Sequence, residues 1–282
     1  MKTATAVILF YPEENIVENI LSYSVFTEKV YIIDNTENPS AVLQLKLKSI
    51  TNAVYFHDGI NEGIALRLNQ AARYAIADGF DWLLTMDQDS AFSEINITRY
   101  FDCINSFENK SNTAMFGIQY INEHDAKNIC IAEEVNHLIT SGSVLNLELF
   151  TKTNGFDEAL FIDEVDLEYC IQATLNGYKI IRFPNIFLKH HLGKINYHRS
   201  LKNLAVTPRM LHSPIRLYYM LRNHLYLSEK YKNSFPEEIQ ISRKGIKNRI
   251  KNNLLYGKEK IRSMQYLLQA YTDFKKGKMG KK

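Results

Sequence analysis

Two carboxylates one residue apart, Asp87 and Asp89, close the apolar run Trp82-Leu83-Leu84-Thr85-Met86. A buried strand that ends in Asp-x-Asp carries both side chains to the carboxyl edge of a sheet, where open α/β folds bind ligands. Two hard oxygen donors there suit Mg²⁺ or Mn²⁺ held together with the phosphates of a substrate. Paired aspartates also occur in ordinary loops, so the motif alone leaves a solvated turn open.

Other residues could serve the same site. Asp34 ends the apolar run 29–33. A carboxylate at a strand end can accept from a ribose or a base, or can simply close an Asx-turn. Asn61-Glu62-Gly63 opens a helix, and the first helical N–H groups form an anion site or need only a cap. The segment 155–168 is dense in acids interleaved with apolar residues, unlike a solvated charge run. Asp163 and Asp166 are three apart and can share a face at a helix start. The helix macrodipole explains one or two acids there but not the whole set. A general base for a hydroxyl proton is the chemistry such a carboxylate can do. His190 follows an apolar run and is either structural or, beside carboxylates, a ligand of a metal or phosphate. Arg216, Tyr219 and Arg222 recur at helical spacing, and a guanidinium fork matches phosphate oxyanions. A plain charged surface helix gives the same pattern.

The elements that must position these residues alternate. Apolar runs at 5–11, 29–33, 53–56 and 82–86 read as strands. Segments 13–24, 42–50 and 62–77 read as helices, with Gly79 a C-cap for the last. Near-continuous apolar strands alternating with helices predict an α/β fold with a mostly parallel sheet flanked by helices. Beyond Ser90 the spacing predicts a helix at 95–107, strands at 114–120 and 135–147, the second interrupted by Thr140-Ser141-Gly142-Ser143, and a helix at 166–176. Strands follow at 179–183, ended by Pro184, and at 186–190. From Ser213 the chain reads as helical, so a C-terminal helical extension is expected, with domains at 1–200 and 201–282.

The 282 residues are 45% hydrophobic and 23% charged, a globular composition. Three cysteines, Cys103, Cys130 and Cys170, lack metal-ligand spacing, and a reducing compartment with buried thiols is expected. No signal peptide or membrane-span pattern is present, which predicts a cytoplasmic protein. The net charge of +3 divides unevenly: residues 241–282 hold thirteen Lys or Arg against Glu259 and Asp273, giving +11, and leave −8 on residues 1–240. That tail combines its charge with apolar Ile246, Ile250, Leu254, Leu255, Ile261, Met264, Leu267 and Leu268 at helical spacing. Such a stripe either lies on an anionic membrane surface or packs on protein, here or in a homodimer.

Taken in order, the motifs resemble a known family. Asp34-Asn35, Asn61-x-Gly63-Ile64-Ala65, Asp81-Trp82-Leu83-Leu84-x-Met86-Asp87-Gln88-Asp89-Ser90 and Thr140-Ser141-Gly142 are similar to segments of the inverting glycosyltransferases of family 2. Within it they resemble the bacterial rhamnosyltransferase group. So do Gly155-Phe156-Asp157-Glu158-x-Leu160-Phe161-Ile162-Asp163-x-Val165-Asp166-x-Glu168, His190-x-Leu192-Gly193 and Ser213-Pro214-x-Arg216-x-Tyr218-Tyr219-x-x-Arg222-Asn223. The resemblance spans about residues 5 to 230.

It implies a GT-A fold, a nucleotide-sugar donor (dTDP-L-rhamnose favoured, UDP-galactose and UDP-galactofuranose open) and Mg²⁺ or Mn²⁺. It implies a glycan or lipid-linked acceptor in cell-surface polysaccharide synthesis, and no nucleic acid. Asp166 would be the base. Asp87, Asp89 and His190 would hold the metal. Asp34, Asn61, Gly63, Asp87, Arg216, Tyr219 and Arg222 would face the donor, and Ser141, Asp163 and Glu164 the acceptor. Val165 stands where many relatives have Glu, as in the rhamnosyltransferase group. Gln172 replaces an Arg common after the base, which removes a salt bridge or an acceptor contact there. A metal-dependent nucleotidyltransferase is the nearest rival, but Tyr11-Pro12-Glu13-Glu14 is acidic where a triphosphate loop would be basic and glycine-rich. An inactive membrane-docking scaffold of the same fold is the other.

Overall fold

The computed structural model describes residues 1–119, 129–190, 196–199 and 205–282. Its two compact units are residues 1–158 with 165–191, and residues 159–164 with 192–282. Residues 159–164, which the sequence assigns to the first domain, are therefore grouped with the C-terminal part.

The first unit begins with the expected alternation. The elements are β1 (Thr3–Leu9), α1 (Ile16–Ser24), β2 (Lys29–Asp34), α2 (Ala41–Lys48), β3 (Ala53–His57), α3 (Gly63–Ala77) and β4 (Trp82–Asp87). Every residue of β1 is buried, as a parallel strand covered on both faces must be. Ser40 caps α2 by accepting from the Leu43 N–H. Gly79, at φ +73°, ends α3 as expected, with Phe80 N donating to Ala75 O at 2.9 Å.

Next come β5 (Ser90–Ala91), α4 (Glu94–Ser106), β6 (Thr113–Gln119), β7 (Glu133–Glu134), β8 (Ser143–Asn146), α5 (Leu147–Lys152), α6 (Val165–Leu175), β9 (Lys179–Phe187) and β10 (Lys189–His190). The eight-stranded sheet has the order β3-β2-β1-β4-β8-β6-β9-β7. Strands β3, β2, β1 and β4 are mutually parallel, β8 runs antiparallel between β4 and β6, and β9 returns parallel to β6. Its core joins Val7, Leu9, Ile32, Leu84, Tyr100 and Phe116. Each such side chain contributes roughly 1.5–3 kcal/mol on full burial.

The stretch 135–147 breaks at Thr140-Ser141-Gly142 as expected: that segment turns back onto β4, with Gly142 N donating to Thr85 O at 2.8 Å, and pairing resumes over Ser143–Asn146. Two expectations are corrected. Pro184 does not end a strand: β9 runs through it, since the register jumps from Ile118↔Phe183 to Gln119↔Phe187 and the bulge needs no N–H at Pro184. The cysteines are not all thiols: Cys103 and Cys130 form a disulfide, and Cys170 alone is free and buried.

The second unit contains β11 (Asn196–Arg199) paired antiparallel with β12 (Val206–Arg209), then α7 (Pro214–Tyr231), α8 (Pro236–Tyr256) and α9 (Lys260–Lys275). Leu217 and Met220 of α7 pack on Ile246 of α8, with Ile250 and Leu267 against them. Phe161, Tyr218, Tyr219 and Ala270 form a second cluster. Among the described residues no helix is long and apolar enough to cross a membrane.

Gly142 sits at φ +70°, and an added Cβ would lie 2.9 Å from Ile118 Cδ1. Gly142→Ala should therefore destabilise by about 1–3 kcal/mol, read as a lower urea midpoint at unchanged m-value.

Candidate active site

The chain order makes a crevice. From β1 it steps to β2 and β3 on one side, then returns to place β4 on the other side of β1. Beside β1 is the point at which open α/β sheets bind ligands, outside the carboxyl ends of the strands. Asp87 ends β4 in register with Ile8, and Asp34 ends β2 in register with Leu9. Phe10 and Tyr11 follow β1 and are both exposed. A cavity of about 630 Å³ opens elsewhere, at Phe80, Asp81 and Trp82 before β4. It lies away from Asp34, Asp87 and Asp89, so the strand-end carboxylates and the topology favour the crevice.

The Asp87-Gln88-Asp89 loop is fixed through its backbone and its middle residue. Gln88 accepts from Phe10 N at 2.8 Å and donates to Phe10 O at 3.2 Å, extending the β1–β4 pairing by side chain. Asn19 donates to Gln88 O at 2.9 Å. Asp87 N donates to Ser141 Oγ at 3.1 Å, and Ser141 Oγ donates to Ser90 Oγ at 3.0 Å. Ser141, expected on the acceptor side, is fully buried and shapes this loop. Ser90 also pairs with His190 across β5 and β10, bringing the backbone of His190 beside Asp89. The His190 side chain lies outside the described residues, as do His191, Leu192 and Gly193.

Asp87 is exposed and Asp89 partly so. The Tyr23 hydroxyl is buried without a hydrogen-bond partner among the described residues. Burial and then the negative charge of Asp87 push that hydroxyl above the ordinary tyrosine range. No group of three His, Cys, Asp or Glu side chains forms a ready cage among the described residues. Mg²⁺ and Mn²⁺ bound with substrate phosphates need only one or two protein carboxylates. The two hard donors at an exposed strand end fit that mode and do not fit an all-protein cage.

On the other flank, Asp34 is buried. It accepts from Tyr55 Oη at 2.6 Å and from Thr36 N at 2.8 Å, so the Asx-turn reading is present in full. Asn61 accepts from Gly63 N at 3.0 Å and does not cap the helix; Glu62 holds the cap position without a side-chain bond. The tie at this corner comes from Asn35 and Arg67. Asn35 accepts from Arg67 Nε at 2.9 Å and from Glu62 N at 3.2 Å, and donates to Gly63 O at 3.1 Å. Arg67 is buried and pairs with Asp58 at 2.6 Å. A buried arginine among the apolar positions of α3 was the sequence signal for such a tie.

Asp166 lies in the first turn of α6 and accepts from Leu167 N at 2.9 Å. His137 Nε2 stands 3.8 Å from its other oxygen. Burial pushes the Asp166 carboxyl up, but His137 and the backbone N–H groups outweigh it and hold it below its ordinary value. His137 was missed in the sequence, where nothing marks it as a partner of α6.

In the second unit, residues 159–164 are held in an uncommon conformation. Phe161, Asp163 and Glu164 have φ of 62°, 67° and 65°, a left-handed region that strains non-glycine residues by about 1–3 kcal/mol each. Asn223, fully buried, brings Nδ2 within 2.7 Å of Leu160 O, 2.7 Å of Ile162 O and 3.0 Å of Asp163 O. Arg222 donates to Asn223 Oδ1 at 2.9 Å and to Gly280 O at 2.7 Å. Arg216 grips Asp163 in a two-pronged pair at 2.5 and 2.8 Å. Ser242 donates to Glu164, and His224 sits behind it at 3.0 Å. Burial, then the charge of Arg243, lowers His224 to about 4, so the ring is neutral at physiological pH.

Two residues expected to face the donor are packed into this cluster. Arg222 is 1% exposed, with its guanidinium on backbone carbonyls and Asn223. Tyr219 is 5% exposed, stacked on Phe161 and accepting from Lys282 N at 2.9 Å. Both hold the 159–164 segment.

The dTDP-rhamnosyl transferase RfbF of Shigella flexneri is 29% identical over 216 residues, 71% of this chain and 71% of that protein. The structure of GalNAc-T7 with UDP, GalNAc and Mn²⁺ matches at a TM-score of 0.63 and 11% identity, covering 98% of this chain and 56% of that one. The chain thus spans little more than half the length of that neighbour. Staphylococcus aureus TarS 1–349 with UDP-GlcNAc matches at 0.60 and 16% identity, covering 97% and 80%. No family profile matches the chain. The chain shares the GT-A fold of these neighbours, a mostly parallel sheet flanked by helices.

Removing Asn223 would leave several buried carbonyls unsatisfied beside strained backbone. Asn223→Ala should destabilise by on the order of 3 kcal/mol, measured by urea unfolding. A change below about 0.5 kcal/mol, the scale of a neutral surface substitution, would contradict the clamp.

Proposed function

We propose that this chain, with its GT-A fold, is a family 2 glycosyltransferase that moves a sugar from a nucleotide sugar to a glycan or lipid-linked acceptor, with inversion. dTDP-L-rhamnose is the donor we favour, on the 29% identity to a dTDP-rhamnosyl transferase. The observation that carries the reading is Asp87-Gln88-Asp89 at the carboxyl end of β4, beside the strand where the sheet changes direction. Residues 1–200 serve as the nucleotide-sugar-binding catalytic domain and residues 201–282 as its helical, basic extension. The product belongs to cell-surface polysaccharide synthesis on the cytoplasmic side.

Asp87 and Asp89, with His190 adjacent, would hold Mg²⁺ or Mn²⁺ against the donor diphosphate. The metal, when bound, stabilises the charge that develops on the departing phosphate. Asp34, Asn61 and Gly63 flank the donor nucleoside, with exposed Phe10 and Tyr11 available to stack on a base. Asp166 takes the proton of the acceptor hydroxyl as its oxygen bonds to the anomeric carbon and the bond to the diphosphate breaks. Asp163 and Glu164 lie close in sequence to that base, on the acceptor side. Arg216 holds Asp163, while Arg222, Tyr219 and Ser141 position backbone.

Two substitutions test the roles. Asp89→Ala should abolish the Mn²⁺-dependent part of nucleoside diphosphate binding in calorimetry while the fold survives. Unchanged affinity would remove Asp89 from the metal site. Asp166→Asn should lower turnover by on the order of a hundredfold or more with donor affinity nearly unchanged. If Asp163→Asn stops transfer and Asp166→Asn does not, the base is the other carboxylate.

The pH dependence follows from His137. Because the folded pKa of Asp166 is lowered, its stabilising contribution is full above the unfolded value of about 3.9 and is lost as pH falls through the folded value. Asp166 is therefore ionised, and able to accept a proton, throughout the neutral range. The acid limb of kcat/KM should lie below the ordinary carboxylate range, and His137→Ala should move it upward. A limb that stays in place in that variant would show that another group sets it.

A further inference from the structure

The C-terminal stripe divides into two faces. Ile246 is buried, and Ile250 and Leu267 are packed beside it. On α9 the inward positions are Ser263 and Ala270. Ile261, Met264, Leu268 and Tyr271 stand 76%, 55%, 69% and 52% exposed. At 3.6 residues per turn these four fall within about 80° of one another on the outward face. Lys260 and Lys275 lie at the two ends of the same helix, and Lys258, Lys276 and Lys278 follow just beyond them, all exposed.

We propose that this outward face of α9 lies in the interface of an anionic lipid bilayer, with its apolar side chains in the acyl boundary and the lysines on the headgroups. An apolar row edged by lysines whose stems can extend to the headgroup layer is the pattern of interfacial helices. The charge selects the occupant. Residues 241–282 carry +11, so a second copy of the same face would bring like charge against like, whereas an acidic headgroup layer neutralises it. The helix is not long and apolar enough to span, so it lies on the surface.

Full-length protein is sedimented with vesicles of neutral phosphatidylcholine and of phosphatidylcholine with phosphatidylglycerol. It should bind the anionic vesicles, more weakly as salt rises. The variant Ile261→Ser/Met264→Ser/Leu268→Ser should lose about tenfold or more in partitioning. Lys258→Gln/Lys260→Gln/Lys275→Gln should lose selectivity for anionic vesicles. All six positions are exposed, and an unchanged urea midpoint confirms the fold. Absence of binding by the parent chain, equal binding by the apolar variant, or a dimer that the apolar variant makes monomeric each overturns the proposal. Vesicle binding needs no sugar transfer, so its outcome is independent of the catalytic reading.

Discussion

A short run of left-handed backbone, held by buried side-chain amide and guanidinium groups, is the constraint on which the second unit is organised. Phe161, Asp163 and Glu164 would not adopt positive φ on their own. Asn223 is what makes the conformation affordable: one amide meets the carbonyls of Leu160, Ile162 and Asp163. Arg222 fixes that amide by donating to its oxygen and reaches Gly280 as well, tying the last residues of the chain into the same cluster. From Glu164 the chain runs directly into Val165 and the first turn of α6, which carries Asp166. Strain held immediately before a proposed base is consistent with the tendency of such conformations to gather at functional sites.

The first unit solves a parallel problem by different means. Two carboxylates at a strand end repel each other, and a free loop would let them splay apart. Here the loop is anchored from three directions: by Gln88 on the Phe10 backbone, by Asn19 on the Gln88 carbonyl, and by Ser141 on the Asp87 amide. None of these bonds uses an Asp87 or Asp89 carboxylate oxygen. The polar scaffold thus sets the backbone of the pair, as preorganised metal and phosphate sites require.

Much of this was legible in the sequence where local pattern carries the information. The alternation that gives β1 to β4, the glycine stop at Gly79 and the strand-end position of Asp87 follow from burial and period alone. What was not legible depends on contacts distant in sequence. The break at Thr140-Ser141-Gly142 is legible in the sequence, but the antiparallel direction of β8 after its turn against Thr85 is not recorded in hydropathy. The Cys103–Cys130 bridge has no spacing signature. Arg222 and Tyr219 read as donor-facing or surface groups because charge and hydroxyl usually mean exposure, yet both are buried against the left-handed segment. The tail stripe was read as one surface, and only packing on α7 separates Ile246 from Ile261.

Placed together, the Asp-x-Asp loop at the edge of a GT-A sheet and the likeness to a rhamnosyl transferase make donor turnover the decisive property. The most direct measurement is release of nucleoside diphosphate from a panel of nucleotide sugars, with and without Mn²⁺, by the full chain. dTDP-L-rhamnose should be hydrolysed above all UDP-sugars tested, and only with the metal. Turnover of no nucleotide sugar under either condition, together with pyrophosphate release from a nucleoside triphosphate and a sugar phosphate, would contradict glycosyl transfer and leave nucleotidyl transfer in its place.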